Sequence, residues 1–286
     1  MITPTTLSEQ LLFSTVRIEV RTKDGLSGTG TGFFFQFQVT EGRILPLIVT
    51  NKHVIRGAES GSFFLHEADT KDGNPTPSGR FFGVGFSGFE KYWIGHPNED
   101  IDLCAMPFAP ISAQANAQGK KVFMISLGQE VIWTDENLSN LSAVEEVVMI
   151  GYPIGLWDEH NNLPIIRQGI TATHPAIDFQ GKSEGVVDIA TFPGSSGSPV
   201  LLLNESGIYH DKKQGTNVVG HRSVFLGVLY AGPIWTAEGE VVIREIPTNK
   251  QVLAQIPVMI NLGYIVKAKE VLRLAQYVDD LLNPKP

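Results

Sequence analysis

Along the first third of the chain the apolar positions recur with a period of two. Phe33, Phe35 and Phe37 alternate with Phe34, Gln36 and Gln38, which predicts a strand with one strongly apolar face. A β-branched apolar run at 44–50 predicts a second strand. Residues 81–89 alternate with glycine, and 102–106 form a short run of buried character. Clusters of Gly, Pro, Asn and Asp at 71–79 and 96–100 separate these segments. Residues 109–121 carry few large apolar side chains and read as a crossing linker, placed at 109–140. A second set of strands is expected at 146–152, 165–172, 185–191, 199–203, 224–230, 241–246 and 258–266. Two helices bracket the strands. The first covers 7–13, with Thr6 or Ser8 near its start. The second covers 267–283, where Val271, Leu274, Val278 and Leu281 fall at helical spacing and Ala268, Leu272 and Ala275 widen the face, before Pro284 and Pro286 end it. Two sets of short strands without βαβ alternation predict an all-β chain of two packed antiparallel barrels with a C-terminal α-helix.

Composition narrows the setting. The 286 residues suffice for one large all-β domain or two small lobes with a buried core. With 42% hydrophobic residues, 18% charged residues and 29 glycines, the chain is globular and rich in turns. A net charge of −8 and the lack of any basic run argue against a nucleic-acid partner. The single cysteine, Cys104, excludes an intrachain disulfide and points to a reducing compartment; inside an apolar strand it is expected to be an inert thiol. The N-terminus lacks a positively charged n-region, and no apolar stretch is long enough to span a bilayer, so the expectation is a cytoplasmic chain with no membrane partner.

The candidate chemistry centres on Phe192-Pro193-Gly194-Ser195-Ser196-Gly197-Ser198-Pro199. A serine flanked by glycines can sit on a tight turn, its hydroxyl exposed and the surrounding N–H groups aimed at one spot, as an acyl-transfer nucleophile requires. Such a serine needs a base, and the base needs an orienting carboxylate. Of seven histidines only His53 follows a long apolar strand and opens a helical turn. Asp102 leads directly into an apolar run and is the better buried partner, with Asp100 left in the preceding loop. His66, His96, His160, His174, His210 and His221 lie in polar or loop-like contexts and are expected to be solvated. His160 has no second His/Cys/Asp cluster at ligand spacing, so no metal is expected. The glycines at 28, 30 and 32 lead into a strand rather than a helix, which makes a phosphate loop a poor reading, and no cofactor is expected.

The order His53, Asp102, Ser196 is that of chymotrypsin-type enzymes. The chain resembles the trypsin-like serine peptidases, and within them the HtrA/Deg branch. Gly30-Thr31-Gly32-Phe33 is similar to that branch's Gly-Ser-Gly-Phe, and Thr50-Asn51-Lys52-His53-Val54 to its Thr-Asn-x-His-Val. Asp102-Leu103-Cys104-Ala105-Met106 is similar to Asp-Leu-Ala-Val-Leu, and Ile150-Gly151-Tyr152-Pro153-Ile154-Gly155 to Ile-Gly-x-Pro-x-Gly. The stretch 188–199 aligns without gaps to the serine segment, and Leu262-Gly263-Tyr264-Ile265-Val266 resembles the final strand. The resemblance implies two six-stranded antiparallel barrels of chymotrypsin type in one peptidase domain over 1–286, with barrels at 14–108 and 141–266 and the helix at 267–283. It implies a serine endopeptidase acting on a protein or peptide, with an oxyanion hole formed by the N–H groups of Gly194 and Ser196. By the same resemblance Ala190, six residues before the serine, lies at the base of the pocket for the side chain preceding the cut. Thr191, Tyr230, Ala231 and Gly232 line it, so small or medium apolar residues are expected there. Ser195 stands where many zymogens carry the acid that pairs with a freed N-terminal amine. That route is closed, and the site is either formed at once or ordered by a ligand, an activating partner or homo-oligomerisation. Departures from the family are the lack of room for a PDZ domain and apparent insertions at 204–222 and 233–255, which could cover the cleft. A catalytically silent binding domain and a serine esterase on the same site are the alternative readings.

Overall fold

A computed structural model describes residues 1–39, 42–205, 207–213, 215–240, 253–259 and 261–284. The strand expected at 241–246 lies outside the described residues. The first lobe is one nine-stranded sheet. Its path runs β5 (Asn74–Ser87), β4 (Ala58–Lys71), β1 (Thr15–Thr22), β2 (Ser27–Gln38), β3 (Ile44–Thr50), β7 (Cys104–Pro107) and β6 (Ile94–Gly95). Two short strands, β8 (Val122–Phe123) and β9 (Leu127–Gly128), join through β4 and β2. Among the described residues this sheet does not close, unlike the six-stranded barrel expected. The second lobe is a closed barrel in the order β10 (Glu146–Gly151), β11 (Ile165–Thr171), β12 (Glu184–Asp188), β19 (Leu262–Lys267), β16 (Arg222–Ala231), β13 (Pro199–Asn204), six strands as expected. The fold is chymotrypsin-like.

The period of two explains how the lobes are joined. In β2, Phe33, Phe35 and Phe37 face the core shared between the lobes, while Phe34 faces the interior of the first lobe. β3 is paired to it with Phe33 opposite Val49 and Phe35 opposite Leu47, and it does the same: Leu47 and Val49 turn one way and Ile48 the other. On the far side Ile150 and Leu201 meet the shared core, and their neighbours Met149, Val200 and Leu202 fill the barrel. Gln36 and Gln38 obey the predicted alternation, but Phe34 shows that both faces of β2 are covered.

The last helix, α5 (Lys269–Leu282), closes the shared core from outside. Val271, Leu274, Ala275 and Val278 are fully buried there, whereas Leu281, expected on the same stripe, is exposed. Fully burying a Val or Leu side chain contributes about 1.5–3 kcal/mol, so this helix is a structural clamp on both lobes.

Several segments depart from the sequence expectation. The 109–140 stretch begins with α3 (Ala109–Ala117), whose Ile111 and Ala115 are buried in the first-lobe core. Low side-chain bulk reads as loop in sequence, yet one isoleucine and one alanine, four residues apart on one face, are enough to dock a short helix. The 71–79 cluster is a two-residue hairpin turn rather than a long loop. Asp72 and Gly73 both have positive φ, and β4 and β5 pair directly up to Lys71–Asn74. His66 and His96 are buried rather than solvated. His66 sits on β4, where Nε2 bonds the Asn162 carbonyl at 3.0 Å, and His96 Nε2 stands 3.3 Å from the buried Glu270 of α5. The 204–222 insertion is a hairpin of β14 (Ile208–Asp211) and β15 (Thr216–Val219). In 233–255 the described part forms a second hairpin, β17 (Ile234–Glu240) paired with β18 (Leu253–Met259).

Candidate active site

The first lobe contributes the end of β3 and the loop before β7. β3 ends at Thr50, and the short helix α2 (Lys52–Ile55) begins at once, so His53 is held within one turn of a sheet strand. Its backbone N–H, one of the donors a helix start leaves unpaired, donates to Asp102 Oδ1 at 3.1 Å. Its ring Nδ1 meets Asp102 Oδ2 at 2.5 Å. One carboxylate thus fixes both the main chain and the ring of His53, leaving Nε2 for other work. Asp102 stands two residues ahead of β7, and Asp100 lies in the exposed preceding turn as expected. Asn51, fully buried, donates from Nδ2 to the Asp102 carbonyl at 2.7 Å. Lys52 Nζ ties down the carbonyls of His96, Asn98 and Glu99, the loop leading to the aspartate. Burial raises the Asp102 carboxyl pKa, but the hydrogen bonds and charge of His53 outweigh it, and the net shift is downward.

The second lobe contributes the loop between β12 and β13. Here the geometry is main-chain. Ser195 N–H donates to Phe192 O, Ser198 N–H to Ser195 O, and Gly197 N–H to Leu229 O. The N–H groups of Gly194 and Ser196 donate to no acceptor among the described residues. The Pro193 carbonyl accepts from Ile154 N–H at 2.5 Å, which orients the Pro193–Gly194 peptide and turns the Gly194 N–H the opposite way. Gly194 adopts φ +85°, and a Cβ there would stand 2.6 Å from the Tyr152 carbonyl. Ser196 is half-buried, and its hydroxyl makes no hydrogen bond among the described residues.

The two halves meet through threonines. Thr31 N–H donates to the Ser196 carbonyl at 2.9 Å, and Thr50 Oγ1 donates to the Thr31 carbonyl at 2.7 Å. Gly197 packs so tightly that a Cβ would lie 1.9 Å from Thr31 O and 2.4 Å from Thr50 Oγ1. The serine loop therefore rests on the residues that lead into His53. Thr31 Oγ1 also accepts from Tyr152 N–H and donates to the Gly194 carbonyl, each at 3.1 Å. Thr31, Thr50, Asn51, Lys52 and Ile154 carry this geometry and were singled out by no chemical reasoning on the sequence. Only their places in the blocks that resemble the HtrA/Deg branch marked them.

The remaining expected residues surround this junction. Ala190 is half-buried, and its carbonyl accepts from Arg167 Nη1 at 2.8 Å. Thr191 is buried with its hydroxyl on the Leu262 carbonyl, so its side chain is committed to structure. Tyr230, Ala231 and Gly232 are half-buried at and beyond the end of β16. Burial, and after it Glu184, push the Tyr230 hydroxyl pKa up. Cys104 is buried in β7, where burial raises its thiol and keeps it inert.

A two-lobed chymotrypsin-like fold with a histidine–carboxylate pair on one wall and a glycine-bounded serine turn on the other is the architecture of a peptidase cleft. The chain belongs to the trypsin-like peptidase domain family, whose model matches residues 30–208. That family acts on peptide substrates. No curated protein matches the chain. Among solved structures, the active form of the Rv3671c protease from M. tuberculosis is similar, with 14% identity, a TM-score of 0.45, and coverage of 93% of this chain and 81% of that one. Deg5 gives 18% identity, a TM-score of 0.43 and coverage of 78% and 81%. An inactivated protease paralogue of the scabies mite gives 11% identity, a TM-score of 0.44 and coverage of 96% and 97%. Among the described residues no helix is long and apolar enough to cross a membrane.

Proposed function

We propose that the protein is a serine endopeptidase, one peptidase unit in which residues 14–108 supply the base and its carboxylate and residues 141–266 supply the nucleophile. His53 Nε2 takes the Ser196 hydroxyl proton as Oγ attacks a peptide carbonyl. The carbonyl oxygen, now negative, is received by the N–H groups of Gly194 and Ser196. Asp102 holds the imidazole in one tautomer and stabilises the imidazolium. His53 then gives its proton to the departing amine, and the C–N bond breaks to leave an acyl-serine. A water molecule, deprotonated by His53, attacks that ester and releases the acid with Ser196 restored. His53 acts as base only in its neutral form.

The observation that carries this reading is the pairing of His53 Nδ1 with Asp102 on the wall against which the Ser196 loop is packed. Labelling with an active-site fluorophosphonate tests it. The expected result is a single adduct on Ser196, absent in Ser196→Ala. An unlabelled parent protein overturns the reading in favour of a silent binding domain. Parallel ester and peptide assays separate an esterase from a peptidase.

Specificity follows from the second lobe. Ala190 offers a methyl group in place of a carboxylate, and the charged group nearest its carbonyl is the cation Arg167. A basic side chain preceding the cut is therefore disfavoured, and small or medium apolar residues are accepted against Tyr230, Ala231 and Gly232. Thr191 contributes through its backbone alone. A peptide library with strong Arg/Lys preference before the cut would overturn this assignment.

A further inference from the structure

The C-terminal barrel contains a guanidinium with no carboxylate partner among the described residues. Arg167 lies on β11 directly opposite Met149 of β10, which is fully buried in the barrel core. Opposed residues in an antiparallel pair share a face, so Arg167 projects inward as Met149 does. It forms no ion pair among the described residues, and its Nε and Nη2 are buried without a hydrogen-bond partner. Burial depresses its pKa to about 10. A guanidinium whose Nε and Nη2 are buried without a carboxylate is destabilising relative to one in water, so stabilisation does not explain it.

Its one engaged nitrogen points to what it does. Nη1 donates to the Ala190 carbonyl and to Ser195 Oγ, each at 2.8 Å. These two acceptors stand on either side of the Phe192–Gly194 turn. Ser195 is fully buried, and its Oγ also accepts from Phe192 N–H at 3.4 Å. A single donor group therefore closes the base of the loop that displays the Gly194 and Ser196 N–H groups. From outside, Ile154 N–H holds the Pro193 carbonyl away from the cleft. If the Pro193–Gly194 peptide rotated, that carbonyl would fill the space the two N–H groups offer to an anion. The loop is thus gripped from both sides against the one rearrangement that destroys an oxyanion hole.

We propose that Arg167 is a positioning residue for catalysis. It is an internal cation that holds the nucleophile loop in its oxyanion-binding shape, a task for which a Ser195-bearing loop can recruit no freed N-terminal amine. The proposal rests on the serine-peptidase reading above. It predicts that the loop is competent in this chain without cleavage or a partner.

The test compares the parent with Arg167→Met, Arg167→Lys and Ser196→Ala, measuring turnover of one peptide substrate, rate of fluorophosphonate labelling, affinity for a peptide aldehyde and thermal unfolding. Arg167→Met is expected to lower kcat by about 100-fold or more, the scale of losing an oxyanion-hole donor, while KM changes little. Labelling rate and aldehyde affinity fall with kcat, because both need the oxyanion site. The unfolding temperature stays level or rises, since an unpaired buried charge has been replaced by an apolar chain of similar length. Arg167→Lys, keeping charge with a single nitrogen, recovers part of kcat. Parent-like labelling and turnover in Arg167→Met overturn the proposal while leaving Ser196 as nucleophile. A loss of activity in step with a loss of stability overturns it in favour of a purely structural role. A parent that is never labelled at Ser196 overturns both this proposal and the reading it rests on.

Discussion

The two walls of the cleft are built by different means. On the first lobe, side chains do the positioning: Asp102 grips His53 twice, Asn51 grips Asp102's main chain, and Lys52 closes the loop between them. On the second lobe the main chain does it. Gly194 and Gly197 take positive φ, carbonyls and N–H groups fix the turn, and from the barrel wall the side chain of Arg167 reaches in. The first wall is therefore sensitive to the chemical identity of a few residues. The second is sensitive to volume, because a single added Cβ collides with backbone that cannot move aside.

The contrast can be broken by substitutions that respect it on one wall and violate it on the other. The largest effect is expected from Asp102→Asn, which keeps the shape but offers His53 Nδ1 the wrong partner. By analogy with such triads kcat should fall about 10⁴-fold, with unfolding little changed; steady-state kinetics alongside thermal denaturation measure both. Next comes Gly197→Ala. Its Cβ would press on the Thr31 carbonyl and the Thr50 hydroxyl at a φ of +86°, so a stability loss above about 4 kcal/mol is expected. Denaturant unfolding reads it, and a loss under 1 kcal/mol would show the second wall to be soft. A third effect concerns the 153–162 loop, which carries Ile154 and is docked on the first lobe where Asn162 meets His66 and Phe64. Burial lowers the His66 pKa from the usual 6.5 to about 4. The unfolded chain then binds more protons than the native one between those values. Stability is full above pH 6.5 and declines as the pH falls toward 4, by about 3 kcal/mol in all. Urea unfolding across that range should show the slope, and His66→Gln should flatten it. The smallest effect falls on the joint between the walls. Thr31→Val leaves the Tyr152 N–H and the Gly194 carbonyl unpaired. It should cost about 1–3 kcal/mol, with a matching loss in kcat that kinetics on the folded variant would detect.

Legibility in the sequence followed the same division. His53, Asp102 and Ser196 could be nominated because each is a chemically special residue in a recognisable local setting, and the structure pairs His53 with Asp102 and packs the serine loop on Thr31 and Thr50. The strands could be found where the apolar pattern is strong, as in the alternation of β2 and the β-branched run of β3. The residues that support the site could not. Thr31 and Thr50 are ordinary strand threonines until the serine loop is packed on them, and Arg167 is one charged position among 22 Lys and Arg. His66 and His96 sit in segments with polar neighbours, and only the docking of the 162 region and of α5 buries them. The 109–121 stretch misled because small residues satisfy a short docked helix as well as a loop.

Sequence alone was sufficient for the family resemblance, for the candidate residues of the site and for the alternation in β2, because each is local. A nucleophile turn needs its glycines adjacent, and a strand writes its faces into every second residue. Three things were decided only by the tertiary structure. The first lobe forms an open nine-stranded sheet while the second closes. Phe33, Phe35, Leu47 and Val49 belong to a core shared with the second lobe and α5. A guanidinium on β11 reaches the base of the serine loop, 28 residues away along the chain. Each depends on which surfaces end up facing one another, and such pairings are set by the packing of the whole chain rather than by any one of its segments.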